Sequence, residues 1–138
     1  MEEPFLDRYC PGEERICTLN QTLPPVLLVE DDEDMIDVLQ WSLEGVVRVF
    51  VARTVQEAEE AFGKGEFAAI IMDGHVKGDE PITVRLVRQM RLLKPRLKII
   101  ATSGDEVLRR QLMAAGCSES CEKFRVPEKL KKLMNQAA

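Results

Sequence analysis

Apolar residues in this chain fall into short unbroken runs separated by amphipathic stretches. The run Val26-Leu27-Leu28-Val29 carries no polar side chain and ends in acids, the pattern of a strand buried on both faces of a parallel sheet. Residues 33–44 predict a helix, with Met35, Leu39 and Ser42/Leu43 on one side and Gly45 as its stop. Residues 46–52 predict a second strand. Thr54, with Glu57 three residues on, reads as a capping box opening a helix to about residue 62, broken by Gly63 and Gly65. A third strand over 67–72 is closed by Asp73. A loop containing Gly74 and Gly78 leads to Pro81, at the first turn of a helix to about residue 94. Beyond Pro95 come a strand over 97–101, a helix over 106–115 stopped by Gly116, a polar fifth strand within 117–122 and a last helix over 128–135. Residues 1–24, punctuated by Pro4, Pro11, Gly12, Pro24 and Pro25, lack such periodicity and read as an N-terminal arm before a domain over 25–138.

Five alternating strand–helix units predict an α/β fold, a parallel sheet with helices on both faces and right-handed crossovers. The 138 residues suit one domain. Apolar residues make up 45% and aromatics only 5%, so the core must be aliphatic. The net charge of −5 argues against nucleic-acid binding through overall charge, and direct DNA binding is not expected. No apolar run approaches a membrane span and no signal peptide opens the chain. The four cysteines, Cys10, Cys17, Cys117 and Cys121, lack the spacing of the common zinc motifs. A cytoplasmic protein with reduced thiols and no membrane association is the simplest expectation.

In an open α/β sheet, ligands bind outside the carboxyl ends of the strands. The first strand ends in Glu30-Asp31-Asp32, the third in Asp73 and the fourth in Thr102-Ser103-Gly104, and Lys123 follows the fifth. Carboxylates clustered there repel one another unless a cation lies between them, and oxygen ligands suit Mg²⁺. A lysine and a hydroxyl can hold a phosphoryl oxygen, leaving Asp73 as the nucleophile that becomes an acyl phosphate.

The motifs Val-Leu-Leu-Val-Glu-Asp-Asp, Ile-Ile-Met-Asp, Ile-Ile-Ala-Thr-Ser-Gly, and Ala-Gly followed seven residues later by Lys123 together resemble the receiver domain of two-component response regulators, over about residues 26–136. The resemblance implies a flavodoxin-like, doubly wound five-stranded sheet of order 2-1-3-4-5. It implies that Asp73 is the phosphoacceptor and that Glu30 and Asp31 are the acidic pair for Mg²⁺. It makes His75 a metal ligand through its backbone carbonyl, Ser103 the conserved hydroxyl, with Gly104 leaving room for the phosphoryl group, and Lys123 the invariant lysine. Asp32 falls one place past the acidic pair and reads as a helix-start acid. Thr102 falls one place before the hydroxyl. His75 and Asp105 occupy positions that tune phosphate lifetime in the family.

The implied protein is a phosphoacceptor rather than an enzyme, although its own site assists phosphotransfer and autodephosphorylation. Its partners would be a sensor histidine kinase or histidine phosphotransfer protein and an unidentified downstream protein. The chain ends soon after the fifth helix, so the expectation is a stand-alone receiver. Two departures stand out. Phe124 follows Lys123 where the family has proline, so a trans bond and a reshaped loop are expected. Ser120 stands where many receivers carry a switching aromatic. Both favour the alternative of a phosphorylation-independent receiver-like interaction module. A metal-dependent phosphatase ranks below it, because His75 stands where such an enzyme needs a second aspartate. On the third helix, Ile82, Leu86, Met90 and Leu93 make an apolar stripe, with arginines on a solvated face opposite. Trp41 lies opposite Met35 and Leu39 on the first helix, exposed to a partner or covered by the arm.

Overall fold

The computed structural model describes residues 23–76 and 83–137. Most of the arm, Pro81 and Ile82 lie outside them. The apolar runs form strands β1 (Pro25–Val29), β2 (Arg48–Ala52), β3 (Ala69–Asp73), β4 (Lys98–Thr102) and β5 (Glu119–Cys121). They pair in parallel in the order β2-β1-β3-β4-β5, the doubly wound, flavodoxin-like arrangement. The amphipathic stretches form α1 (Glu33–Ser42), α2 (Val55–Lys64), α3 (Val84–Leu93), α4 (Glu106–Ala115) and α5 (Val126–Ala137).

Strand side chains alternate between faces, and this splits the core in two. Leu27, Val29, Ile70, Met72, Ile99 and Ala101 pack under α2, α3 and α4, represented by Ala58, Met90 and Leu112. Val26, Leu28, Ile71 and Ile100 pack under α1 and α5, through Ile36, Leu39, Leu130 and Leu133. Burial on both faces is why β1, β3 and β4 need unbroken apolar sequence.

The helix starts follow local chemistry. Asp32 caps α1, its carboxylate accepting from the Asp34 and Met35 amides. Thr54 Oγ1 accepts from the Glu57 amide at 3.0 Å. Glu57 reaches back to the Arg53 amide at 2.7 Å, one residue earlier than the capping-box pattern places it. Asp105 caps α4 through the Val107 amide.

Several expected boundaries shift. Helix α1 ends at Ser42, and Gly45 supplies a positive φ of 79° in the turn that follows. Gly63 lies within α2, and Gly65 alone ends it. Helix α5 begins at Val126 because a 3-10 turn at Lys123–Arg125 runs directly into it. Leu93 does not complete the stripe of α3: it is 69% exposed, and Val87 takes the buried place.

Arg91 leaves the solvated face as well. Its guanidinium donates to the carbonyls of Gly116 (2.9 and 2.7 Å) and Pro95 (2.8 Å) and to Ser118 Oγ (3.1 Å). It thereby ties α3 to the α4–β5 turn. Trp41 is 79% exposed, on the side of α1 away from the sheet.

Candidate functional site

Parallel pairing delivers the C-terminal ends of β1, β3 and β4 to one edge. Glu30 directly follows β1, and its amide extends the ladder by donating to the Ala52 carbonyl at 3.0 Å. Asp73 is the last residue of β3, in register with Thr102. Ser103 follows β4. Glu30, Asp73, Thr102 and Ser103 are the buried polar residues of this edge.

The carboxylates of Glu30, Asp31 and Asp73 each present an oxygen within 4.8 Å of the others. Lys123 closes the group, its Nζ 3.0 Å from Glu30 Oε1 and 3.4 Å from Asp73 Oδ1. One ammonium against three carboxylates leaves excess negative charge in a buried place. The electrostatics register this. Burial first, then the Asp73 carboxylate, pushes Glu30 up to about 7, against the hydrogen bond and charge of Lys123. Burial pulls the Lys123 ammonium down, but Asp73 and Glu30 outweigh it and its pKa is raised. Hard oxygen donors, close together and undercompensated, fit a divalent cation such as Mg²⁺.

The hydroxyl side of the site is held by backbone. Ser103 Oγ accepts from the Asp105 amide at 3.0 Å, leaving its own proton free to donate elsewhere. Thr102 Oγ1 instead donates to the Met72 carbonyl at 3.3 Å, so it serves the strand junction rather than the edge. A Cβ on Gly104 would meet nothing within 4 Å, so space is open beside Ser103. His75 is exposed and its side chain lies outside the carboxylate cluster. The Asp105 carboxylate is engaged as the α4 cap.

Two contributors escape the sequence reading. Thr83, fully buried before α3, donates from Oγ1 to the Asp73 carbonyl at 2.8 Å, and its amide donates to the Gly74 carbonyl at 3.2 Å. It clamps the backbone that carries Asp73. Arg109 on α4 donates to the Ser103 carbonyl. A lone threonine and a helix arginine give no pattern in sequence that would single them out. Gly74 does carry a signal: a Cβ there would lie 3.2 Å from Leu108 Cδ1, so a larger residue would crowd α4 against the turn after Asp73.

Comparison with solved structures matches the fold to that of response-regulator receiver domains. A CheY-like receiver protein from Methanospirillum hungatei JF-1 superposes with a TM-score of 0.71 at 22% identity, over 84% of this chain and 98% of that one. The chain has the receiver fold.

A two-component response regulator from Clostridium difficile gives a TM-score of 0.71 at 15% identity, over 83% of this chain and 98% of the other. A response regulator from Burkholderia pseudomallei, whose structure holds a phosphorylated aspartic acid, a calcium ion and citrate, gives 0.67 at 22% identity, over 78% of this chain and 64% of that one. No protein-family model matches the sequence. No curated protein matches it. Within the receiver fold, β5 is short and its three residues are only half-buried. Ser120 sits at its centre, paired with Ala101, and Phe124 beside Lys123 is exposed.

Proposed function

We infer that residues 25–138 form a receiver domain that works as a phosphorylation-activated switch, with Asp73 as the acceptor. The observation that carries this is the buried Asp73 carboxylate at a strand end, flanked by Lys123 at 3.4 Å and by Glu30 and Asp31 within the cluster. The phosphodonor is a sensor histidine kinase or a histidine phosphotransfer protein in the cytoplasm. An Asp73 oxygen attacks the donor phosphorus, the phosphorus–nitrogen bond breaks, and its electron pair returns to the imidazole. Glu30, Asp31 and Asp73 would hold Mg²⁺, with the His75 carbonyl as a further ligand. That ion would neutralise charge on the transferring group. Lys123 passes from the carboxylates to a phosphoryl oxygen, and Ser103 donates its free proton to another. Hydrolysis of the acyl phosphate at the same site resets the switch. Output runs through contacts with another protein.

The test is incubation with Mg²⁺ and acetyl phosphate, or with beryllofluoride, followed by intact-mass and Trp41 fluorescence measurement. Acetyl phosphate should leave a single adduct of one phosphoryl group and beryllofluoride should change Trp41 fluorescence, both absent from Asp73→Asn. An adduct that survives that substitution, or none on the native chain, overturns the assignment. A phosphorylation-independent interaction module is the second reading, favoured by the short half-buried β5 with Ser120 at its centre. It predicts partner binding unchanged by acetyl phosphate.

A further inference from the structure

Away from the carboxylates, a cavity of about 470 Å³ opens between α4, β5 and the start of α5. That volume lies in the range of small-molecule sites. The charge around it is opposite in sign to the chain's net −5. Arg109, Arg125, Lys129 and Lys132 line it against Glu122 and Glu128. Arg125, Lys129 and Lys132 come from the basic stretch over residues 123–132, and the fold adds Arg109 from α4.

Two of these cations are already engaged. Arg109 donates to the Ser103 carbonyl, and Lys129 lies 3.3 Å from Glu119. Arg125 and Lys132 are exposed, and among the described residues their side chains make no ion pair or hydrogen bond. Lys132 stands three residues after Lys129, so both project from one face of α5. The floor is β5, an edge strand paired only to β4, whose small Ser120 leaves the space unfilled.

We propose that this cavity binds a compact multiply charged anion, specifically a diphosphate group, between Arg125 and Lys132. Two uncommitted cations with Lys129 beside them match a group that carries two to three negative charges in a small volume. A guanidinium can bind phosphate oxygens through paired hydrogen bonds, and a lysine serves as a point charge. An extended acidic peptide would spread its carboxylates beyond a concave site, out of reach of the cations that line it. The proposal is independent of phosphorylation at Asp73.

The diphosphate has two sources, free pyrophosphate or a nucleotide, and calorimetry separates them. The full chain is titrated with inorganic pyrophosphate and with ADP, at low ionic strength and in EDTA so that no metal bridges the probe to the acidic site. One saturable site is expected, weakening as salt is raised. Equal affinities assign recognition to the diphosphate alone, and tighter ADP binding adds the nucleoside to the occupant. The double variant Arg125→Ala/Lys132→Ala should bind at least about tenfold more weakly. Both positions are exposed, and an unchanged urea midpoint confirms its fold. Asp73→Asn should bind as the native chain does, which separates this site from the proposed phosphoacceptor. No saturable heat from either probe, an affinity unmoved in the double variant, or loss of binding in Asp73→Asn overturns the proposal. So does a hexaglutamate peptide that competes as well as pyrophosphate, which would make the surface a protein-docking one.

Discussion

Glu30 is a carboxylate held almost wholly out of water. Its pKa is raised from 4.5 to about 7, by burial first and then by Asp73. The folded chain therefore binds this proton more tightly than the unfolded chain does. Its contribution to stability is full below pH 4.5 and is lost as pH rises to about 7. In metal-free protein the urea midpoint should fall across that window, on the order of 1–3 kcal/mol from this group, and Glu30→Gln should flatten the fall. A midpoint that rises over the same range in native protein but not in the variant would contradict this assignment. Thr83 invites a second measurement. Thr83→Val keeps the shape but leaves the buried Asp73 carbonyl without its 2.8 Å donor. A loss of about 1–3 kcal/mol is expected, with Thr83→Ser retaining most of the stability.

At the scale of elements, the joint between α3 and the α4–β5 turn depends on one side chain and one glycine. Arg91 spans the Gly116 and Pro95 carbonyls and the Ser118 hydroxyl. Lysine cannot reproduce that fork. Arg91→Lys should therefore destabilise nearly as much as Arg91→Ala, by about 2–3 kcal/mol in urea unfolding. Gly116 ends α4 with φ of 133°, and a Cβ there would stand 3.1 Å from Arg91 Cβ and Cγ. Gly116→Ala should cost at least about 1 kcal/mol through backbone strain and this contact together. Gly65→Ala, at a position with extended backbone and open space, should cost far less. Equal losses at the two glycines would show that neither the conformation nor the contact matters.

For the whole molecule, the charge imbalance at the strand ends ties stability to a divalent ion. If Glu30, Asp31 and Asp73 hold Mg²⁺, adding it to chelator-treated protein should raise the urea midpoint, by about 2.7 kcal/mol at a hundredfold excess over its dissociation constant. Asp31→Asn should remove most of that gain. Protons compete for Glu30, so the gain should be larger near pH 8 than near pH 5. An equal gain in the Asp31 variant would place the ion elsewhere.

The elements and most of the site were legible in the sequence for one reason. A doubly buried strand demands an unbroken apolar run, and whatever polar residue ends the run must sit at the sheet edge. That logic located Glu30, Asp73 and Ser103 and the caps at Asp32 and Thr54, each within a few residues of its own signal. It placed helix ends less well, because Gly63 is tolerated inside α2 and a 3-10 turn delivers the chain to α5 early.

The sequence by itself determined the alternation of strands and helices and the residue types brought to the carboxyl edge. Only the tertiary structure decided which side chains serve that edge from afar. Thr83 beneath Asp73, Arg109 on the Ser103 carbonyl, Arg91 across two turns and the cationic cavity beside β5 each join one element or turn of the fold to another. Such contacts leave no period or spacing to read, because they arise from how packed elements meet rather than from what any one of them must bury.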